Sequence, residues 1–274
     1  MTTERSSAEV AAADPFADYY SRESLSPGTL ERFRATQEAV LRLRRTLGLG
    51  TERLDVADIG CGAATQCMMW AKLGHRVHGV DVNEPLVLLG RERVAEAKLD
   101  IELEVGTATK LSWASGSMDV CLLPELLEHV REWRQVLAEA ARILRPNGLL
   151  YISTTNRLCP FQSEFDLPLY SWYPAPLKRY CERLATTTHP QWVNHAQYPA
   201  VNWFDYYSLR RAPELADFRC LDRFDATDPA TKGTLGRLAL KLVASNGLLR
   251  FFAHVATSYT MIFAVRTAPA NATG

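Results

Sequence analysis

The chain has 274 residues, 47% apolar and 23% charged, with 31 basic side chains against 31 acidic ones. This is globular composition with material for a large core, and zero net charge argues against nucleic acid, whose binders carry a basic surplus or stripe. Cysteines 61, 67, 121, 159, 181 and 220 form no C-x-x-C pair, so they read as reduced thiols without a paired-cysteine zinc site; no run of 18 uncharged apolar residues would span a membrane, and a cytoplasmic location is expected.

The opening "MTTERSSAEVAAAD" has acidic residues and no apolar core. It reads as a flexible tail over residues 1–13 rather than a signal peptide, leaving one domain over 14–274. Ser26-Pro27-Gly28 introduces a helix over 28–47, where Arg42, Arg44 and Arg45 suit a solvated face near a C-terminus. From Asp55 to Ser153, short apolar runs alternate with helix-period segments. Strands are expected at 54–60, 76–82, 101–105, 118–123 and 148–154, and helices at 64–74, 85–99 and 126–144. The last helix carries an apolar stripe at 126, 130, 133, 137, 140, 141 and 144, with Gly148 as a stop signal. Such alternation implies an α/β fold, a parallel sheet with helices on both faces.

Residues 157–207 differ in texture, holding 12 of the 26 aromatics and 6 of the 14 prolines. Proline breaks regular elements, so this stretch reads as a structured insertion of the lid or substrate-binding kind, with an oligomer interface or buttress as the alternative. Beyond it, "YSLRRAPELADF" suggests a helix, "CLDRFDA" a strand and "SYTMIFAVRT" a final strand. Residues 234–256 are apolar, with Arg237, Lys241 and Arg250 interspersed. They read as a core helical hairpin broken at Asn246-Gly247. The alternative is a membrane-interface segment, and hence peripheral membrane contact through 234–256.

"VADIGCGAAT" passes from a strand through Gly60-x-Gly62 into a helix, a device that lets a ligand approach the backbone closely. The third glycine of the dinucleotide fingerprint would fall at Thr65, so that fingerprint is incomplete. Asp58 precedes the first glycine by two. A carboxylate there suits a ligand's ammonium group and would repel a pyrophosphate. Asp81 ends the next strand, where two acceptor oxygens match the two hydroxyls of a ribose.

With "VHGVDVN", "LLPELLEHV" and "ILRPNGLLYISTTNR", this loop resembles the successive motifs of class I S-adenosylmethionine-dependent methyltransferases. The likeness is strong over about residues 50–156. Within the class, "PELLEHV" followed by "STTNR" is similar to the ubiquinone-biosynthesis O-methyltransferases. The resemblance implies a Rossmann-like fold, a seven-stranded, mostly parallel sheet with an aromatic, proline-rich lid. The cofactor would be S-adenosyl-L-methionine. Asp58, Gly60 and Gly62 would line its methionine end, Asp81 its ribose, and Val82 with Leu123 or Pro124 would flank adenine or sulfonium. The family usually has an acid after the third strand for the adenine amine. Here Thr107, or the backbone of Ala108, would accept that bond. Ala63-Ala64 stands where many members have glycine, which is tolerable if neither position needs positive φ.

"LLPELLEHVREW" places Glu125, Glu128 and His129 at offsets that share one face of a helix. Residues after the fourth strand of this fold lie beside the transferred methyl, so His129 is a candidate general base, with Glu125 or Glu128 orienting its ring. Alternatively Glu125, Glu128 and His129 hold Mg²⁺ or Mn²⁺, which suit oxygen-rich sets with one imidazole, a use the resemblance supports. A third reading makes the glutamates a favourable charge at a helix start. Weaker candidates are Tyr19 and Tyr20 as a cofactor cover, and His189, His195, Asp205 and Tyr206 as substrate-facing groups. Aromatic walls with few charges favour a small aromatic or apolar acceptor. The expected function is methylation of a small aromatic or quinone-like hydroxyl. Alternatives are C- or N-methylation of a natural product, metal-dependent RNA 2′-O-methylation, or a non-catalytic cofactor-binding protein.

Overall fold

A computed structural model describes residues 21–193 and 200–267. The expected tail and Tyr19, Tyr20 and His195 lie outside the described residues. Helix α1 (Pro27–Thr46) starts at Ser26, whose side chain accepts from the Thr29 N–H, with Pro27 in its first turn. There follow β1 (Asp55–Ile59), α2 (Thr65–Ala71), β2 (Arg76–Asp81), α3 (Glu84–Glu96), β3 (Ile101–Val105), β4 (Met118–Pro124), α4 (Trp133–Ile143) and β5 (Leu144–Thr155). The remainder contains α5 (Ala175–Ala185), α6 (Tyr206–Leu209), β6 (Phe218–Asp222), α7 (Arg223–Ala226), α8 (Thr234–Ser245), α9 (Gly247–Val255) and β7 (Tyr259–Arg266).

The seven strands run in the order β3-β2-β1-β4-β5-β7-β6. β1 pairs in parallel with β2 and with β4, and β2 with β3. Strand order therefore reverses between β1 and β4, the switch point at which such sheets bind ligands beyond their carboxyl ends. The runs of apolar residues in β1 and β4 are what a strand covered on both faces requires, and Val56, Val120, Leu122 and Leu123 are fully buried.

The chain packs as two compact units. Among the described residues the first comprises 21–123, 135–150 and 266–267, and the second 124–134, 151–193 and 200–265. In the first unit, Arg145 reaches Asp119 at 2.6 Å and Asp55 at 2.8 Å, while Arg76 reaches Asp55 at 2.6 Å. These pairs bind together the amino ends of β1, β2 and β4, at the opposite end of the strands from the glycine turn. Arg44 corrects an expectation. It is buried rather than solvated, and donates to the Gly50 carbonyl at 2.9 Å and the Asp119 carbonyl at 3.1 Å.

In the second unit, the described part of the aromatic insertion builds a core of its own. Phe165 and Tyr170 are stacked at 4.1 Å and packed with Cys181, Ala185 and Trp203. Asn156 extends both amide hydrogens to the carbonyls of His254 and Thr257, at 2.8 and 2.7 Å. Asp222 is fully buried and accepts from Arg250 Nε at 2.7 Å, pairs with His254 Nε2 at 2.8 Å, and caps α7.

Several boundaries differ from the sequence reading. "YSLRRAPELADF" forms only the short α6 and a 3₁₀ turn over Pro213–Leu215, because Pro213 cannot continue a helix. "CLDRFDA" leaves strand conformation at Asp222, whose reciprocal capping with Asp225 starts α7. α4 ends at Ile143, before Gly148, and Asn147 takes the left-handed conformation. The break at Asn246 separates α8 from α9 as expected, but the pair is not a core hairpin: no α8 residue is buried, and in α9 only His254 is.

Burial raises the Asp222 carboxyl, but hydrogen bonds from His254, Arg250 and the Asp225 backbone outweigh it and hold the group below the usual carboxylate range. Its stabilising contribution is therefore complete above the ordinary Asp value of about 3.9 and is lost as pH falls below it. Asp222→Ala strands Arg250 and His254 and is expected to cost about 3 kcal/mol or more in denaturant unfolding at neutral pH. The variant should also lose less stability than the parent chain on acidification below about pH 4.

Candidate active site

In the first unit, β1 delivers Asp58 to the head of the glycine turn. Gly60 and Cys61 donate their N–H groups to the Val80 carbonyl, at 2.8 and 3.1 Å. Gly60 and Gly62 have φ of +83° and +51°. Ala64 also has positive φ, +61°, as the residue before α2. The condition under which alanine was expected to replace glycine freely therefore holds at Ala63 and fails at Ala64, at a cost of about 1 kcal/mol. The alanines are small because α3 packs close: a Cβ added at Gly90 would come within 3.1 Å of the Ala64 Cβ.

Asp81 ends β2 and secures the turn. Its Oδ2 accepts from the Gly62 N–H at 2.9 Å, and its Oδ1 from the Asn83 N–H at 2.8 Å. Asn83 in turn caps α3 by accepting from the Leu86 N–H at 3.0 Å. One residue thus closes the glycine turn, ends β2 and leads into α3. Burial raises its pKa, against the backbone hydrogen bonds from Asn83 and Gly62.

Asp58 is 1% exposed. Its Oδ2 accepts from the Cys67 thiol at 3.3 Å, and its Oδ1 is buried without a hydrogen-bond partner among the described residues. Burial pushes the carboxyl up to about 7; the Cys67 thiol opposes the rise and the Asp81 charge adds to it. Gly79 lies in register with Asp58, and a Cβ there would meet the Leu103 side chain at 2.7 Å and the Cys61 sulfur at 2.9 Å. Around the same cleft, Val82 is 64% exposed, Ala108 and Leu123 are buried, and Thr107 shares a 2.8 Å hydrogen bond with Thr109. Ser24, which sequence reading missed, meets the Thr65 hydroxyl at 3.1 Å. This brings the segment before α1 onto the start of α2.

A buried carboxylate oxygen without a donor, two residues before the turn, fits an ammonium group. Asp81 at the β2 tip fits a diol. This pair of carboxylates is chemically compatible with S-adenosylmethionine, which carries both an ammonium group and a ribose diol.

In the second unit, the Glu125-x-x-Glu128-His129 segment departs from its expected form. The helix starts at Trp133 rather than Leu126, so the three side chains do not share a helical face. Glu125 is left-handed, with φ +50°. The carbonyls that a helix would use internally are taken from outside: Asn202 donates to Leu127 and Val130 at 2.9 and 2.7 Å, and the N–H groups of Val201 and Asn202 to Glu128. Glu128 is fully buried, with Oε2 accepting from the Thr154 hydroxyl at 2.8 Å and Oε1 lacking a hydrogen-bond partner among the described residues. Burial, then the charges of Glu164 and Glu125, raises it well above the usual range. Glu164 itself is pushed up to about 7 by burial and the Glu125 charge.

Glu164 had no sequence signal, being a lone acid in the aromatic insertion brought to Glu125 and Glu128 by folding. Among the described residues no three His, Cys, Asp or Glu side chains form a group able to hold a metal ion. Glu125, Glu128 and His129 thus do not fit the expected Mg²⁺ site. Asp205 pairs with Arg157 at 2.5 Å and caps α6. Buried Tyr206 stacks on His254, and His189 stacks on Trp192. Local packing, not a shared cleft, accounts for these three.

A parallel sheet with a glycine turn, an acid before it and an acid at the next strand tip defines a nucleoside-binding α/β fold of the methyltransferase kind. Residues 57–152 match the family described as "Methyltransferase domain". The chain is 33% identical over 106 residues to a ubiquinone biosynthesis O-methyltransferase of Mesorhizobium japonicum, covering 39% of this chain and 43% of that protein. It is 35% identical over 107 residues to the Caulobacter vibrioides protein of the same name, covering 39% and 42%. The matches thus span less than half of these relatives. A solved structure of a putative sarcosine dimethylglycine methyltransferase from Galdieria sulphuraria superposes with a TM-score of 0.54 at 13% identity, over 85% of each chain. That likeness shows the fold. Over residues 57–152 the chain is thus similar to S-adenosylmethionine-dependent methyltransferases, and its fold is theirs.

An ammonium ligand binds the ionised form of Asp58, so binding releases the proton that burial keeps on it. Affinity for S-adenosylmethionine, measured by calorimetry, should rise as pH increases through about 7 and level off above it. Asp58→Asn should flatten this dependence and weaken binding about tenfold or more.

Proposed function

We propose that the protein transfers the methyl group of S-adenosylmethionine to a hydroxyl of a small aromatic or quinone-like acceptor. The observation that carries this reading is the paired placement of Asp58 and Asp81 on one glycine turn, each at an adjacent strand end. When bound, the cofactor supplies a methyl made electrophilic by its sulfonium. The protein's tasks are to hold the acceptor in line, exclude water and receive the acceptor's proton. The curated relatives, named for ubiquinone biosynthesis, favour oxygen and a quinone-like ring.

For proton removal we propose the His129 imidazole, whose ordinary pKa near 6.5 suits a phenol-like hydroxyl of about 10. A second reading places this role on the Glu164 carboxylate, favoured by its burial within electrostatic reach of Glu125 and Glu128, which pushes it up to about 7. No step is assigned to a metal ion, since Glu125, Glu128 and His129 lack a suitable arrangement. With zero net charge, this also disfavours metal-dependent RNA methylation. His129→Ala or Glu164→Gln, whichever removes the base, should lower kcat with a catechol-type acceptor about 100-fold while leaving cofactor affinity unchanged. Near-normal kcat in both variants would refute a protein base. Absence of turnover with any phenolic acceptor, despite cofactor binding, would refute hydroxyl methylation.

A further inference from the structure

α8 and α9 have an unusual polarity. In α9 the charged and polar side chains turn inward: Arg250 and His254 engage Asp222, while Leu248, Leu249, Phe251 and Phe252 are exposed. In α8, Leu235, Leu238 and Leu242 recur at helical spacing, and all three are exposed, Leu235 at 83%. Seven large apolar side chains thus face outward from two short helices. A soluble surface scatters such residues singly, and a contiguous set marks an interaction site.

The charge pattern selects the partner. No aspartate or glutamate occurs from residue 229 to 267, whereas Lys232, Arg237 and Lys241 are exposed around the leucines. An apolar face with three exposed cations among its leucines, the neighbouring exposed acid Asp225 being paired with Arg250, is complementary to an anionic surface with an apolar layer beneath it, which is a lipid interface. The helices have 12 and 9 residues and meet at a bend of 114°. At about 1.5 Å per residue they reach about 18 and 14 Å, too short to cross a hydrocarbon layer of about 30 Å. Beside α9 lies a groove of about 670 Å³ lined by Trp172, Phe251 and Phe252, with Arg157 and Lys178 among its walls. Trp172 is 55% exposed. Aromatic rings with nearby cations are the combination enriched at headgroup level.

We propose that α8, α9 and the adjoining Trp172 groove form a docking surface for an anionic lipid bilayer, on which the protein lies without spanning it. Asp222 has a part in this, since it draws Arg250 and His254 into the unit and so commits the opposite, apolar side of α9 to the outside. The inference is independent of the methyl-transfer reading.

The test is co-sedimentation of the full chain with vesicles of phosphatidylcholine, with and without about one-third phosphatidylglycerol. Expected are capture by the anionic vesicles, weak capture by neutral ones, and release as salt rises from about 0.1 to about 0.5 M. Arg237→Ala with Lys241→Ala should weaken anionic-vesicle binding roughly 25-fold, at about fivefold per cation. Leu248→Ser with Phe252→Ser should weaken it about tenfold or more. Circular dichroism melting checks that the variants fold; if they do not, the lipid and salt arms on the unaltered chain decide alone. Equal capture by both vesicle types, or capture by neither, would overturn the proposal. So would a concentration-dependent dimer that Phe252→Ser dissolves while vesicles capture nothing.

Discussion

The Asp58 carboxylate is buried at the carboxyl end of β1, and the surrounding geometry follows from accommodating it. An acid so placed carries a desolvation penalty that hydrogen bonds or an opposite charge must offset. The structure supplies one weak donor, the Cys67 thiol, and leaves one oxygen without a partner among the described residues. The second acid, Asp81, adds to the penalty, yet it is held there because its oxygens fasten the glycine turn and the turn into α3. Two acids a strand apart, both short of cations, make a cleft whose electrostatics favour a positively charged ligand.

The second unit handles its acids differently. Glu125, Glu128 and Glu164 lie within electrostatic reach of one another, and Glu128 is fully buried. Their segment is held in an irregular conformation because Asn202 and its neighbours bond the carbonyls that would otherwise propagate a helix. The result is a group of carboxyls whose pKa values burial and mutual charge raise, so that they can hold protons near neutral pH.

Near the end of the chain, the fully buried Asp222 sets polarity rather than catalysis. It pairs with Arg250 and His254, so the side chains that would normally solvate α9 are drawn inward. The leucines and phenylalanines of α8 and α9 remain outside, with Lys232, Arg237 and Lys241 exposed beside the leucines.

Much of this was legible in the sequence. Apolar runs located β1, β2, β3, β4 and β7 to within a residue or so at each end, and β5 and β6 only in part, β5 beginning before its apolar run and β6 yielding to the Asp222 cap. The spacing of Asp58, Gly60, Gly62 and Asp81 located the glycine turn and the two acids beside it, since these are fixed by adjacent segments. What lay beyond reach depended on distant partners. The apolar stripe beginning at Leu126 satisfied every local criterion for a helix, but Asn202, more than 70 residues away, took its carbonyls. Glu164 carried no local signal, and Ala64 gave no sign of its positive φ. The same apolar sequence at 234–256 suits a core or an interface equally well. Local sequence therefore determined the sheet and the glycine turn, while only tertiary structure decided which carboxyls share an environment and which apolar helices face outward, because those outcomes depend on contacts between segments far apart in the chain.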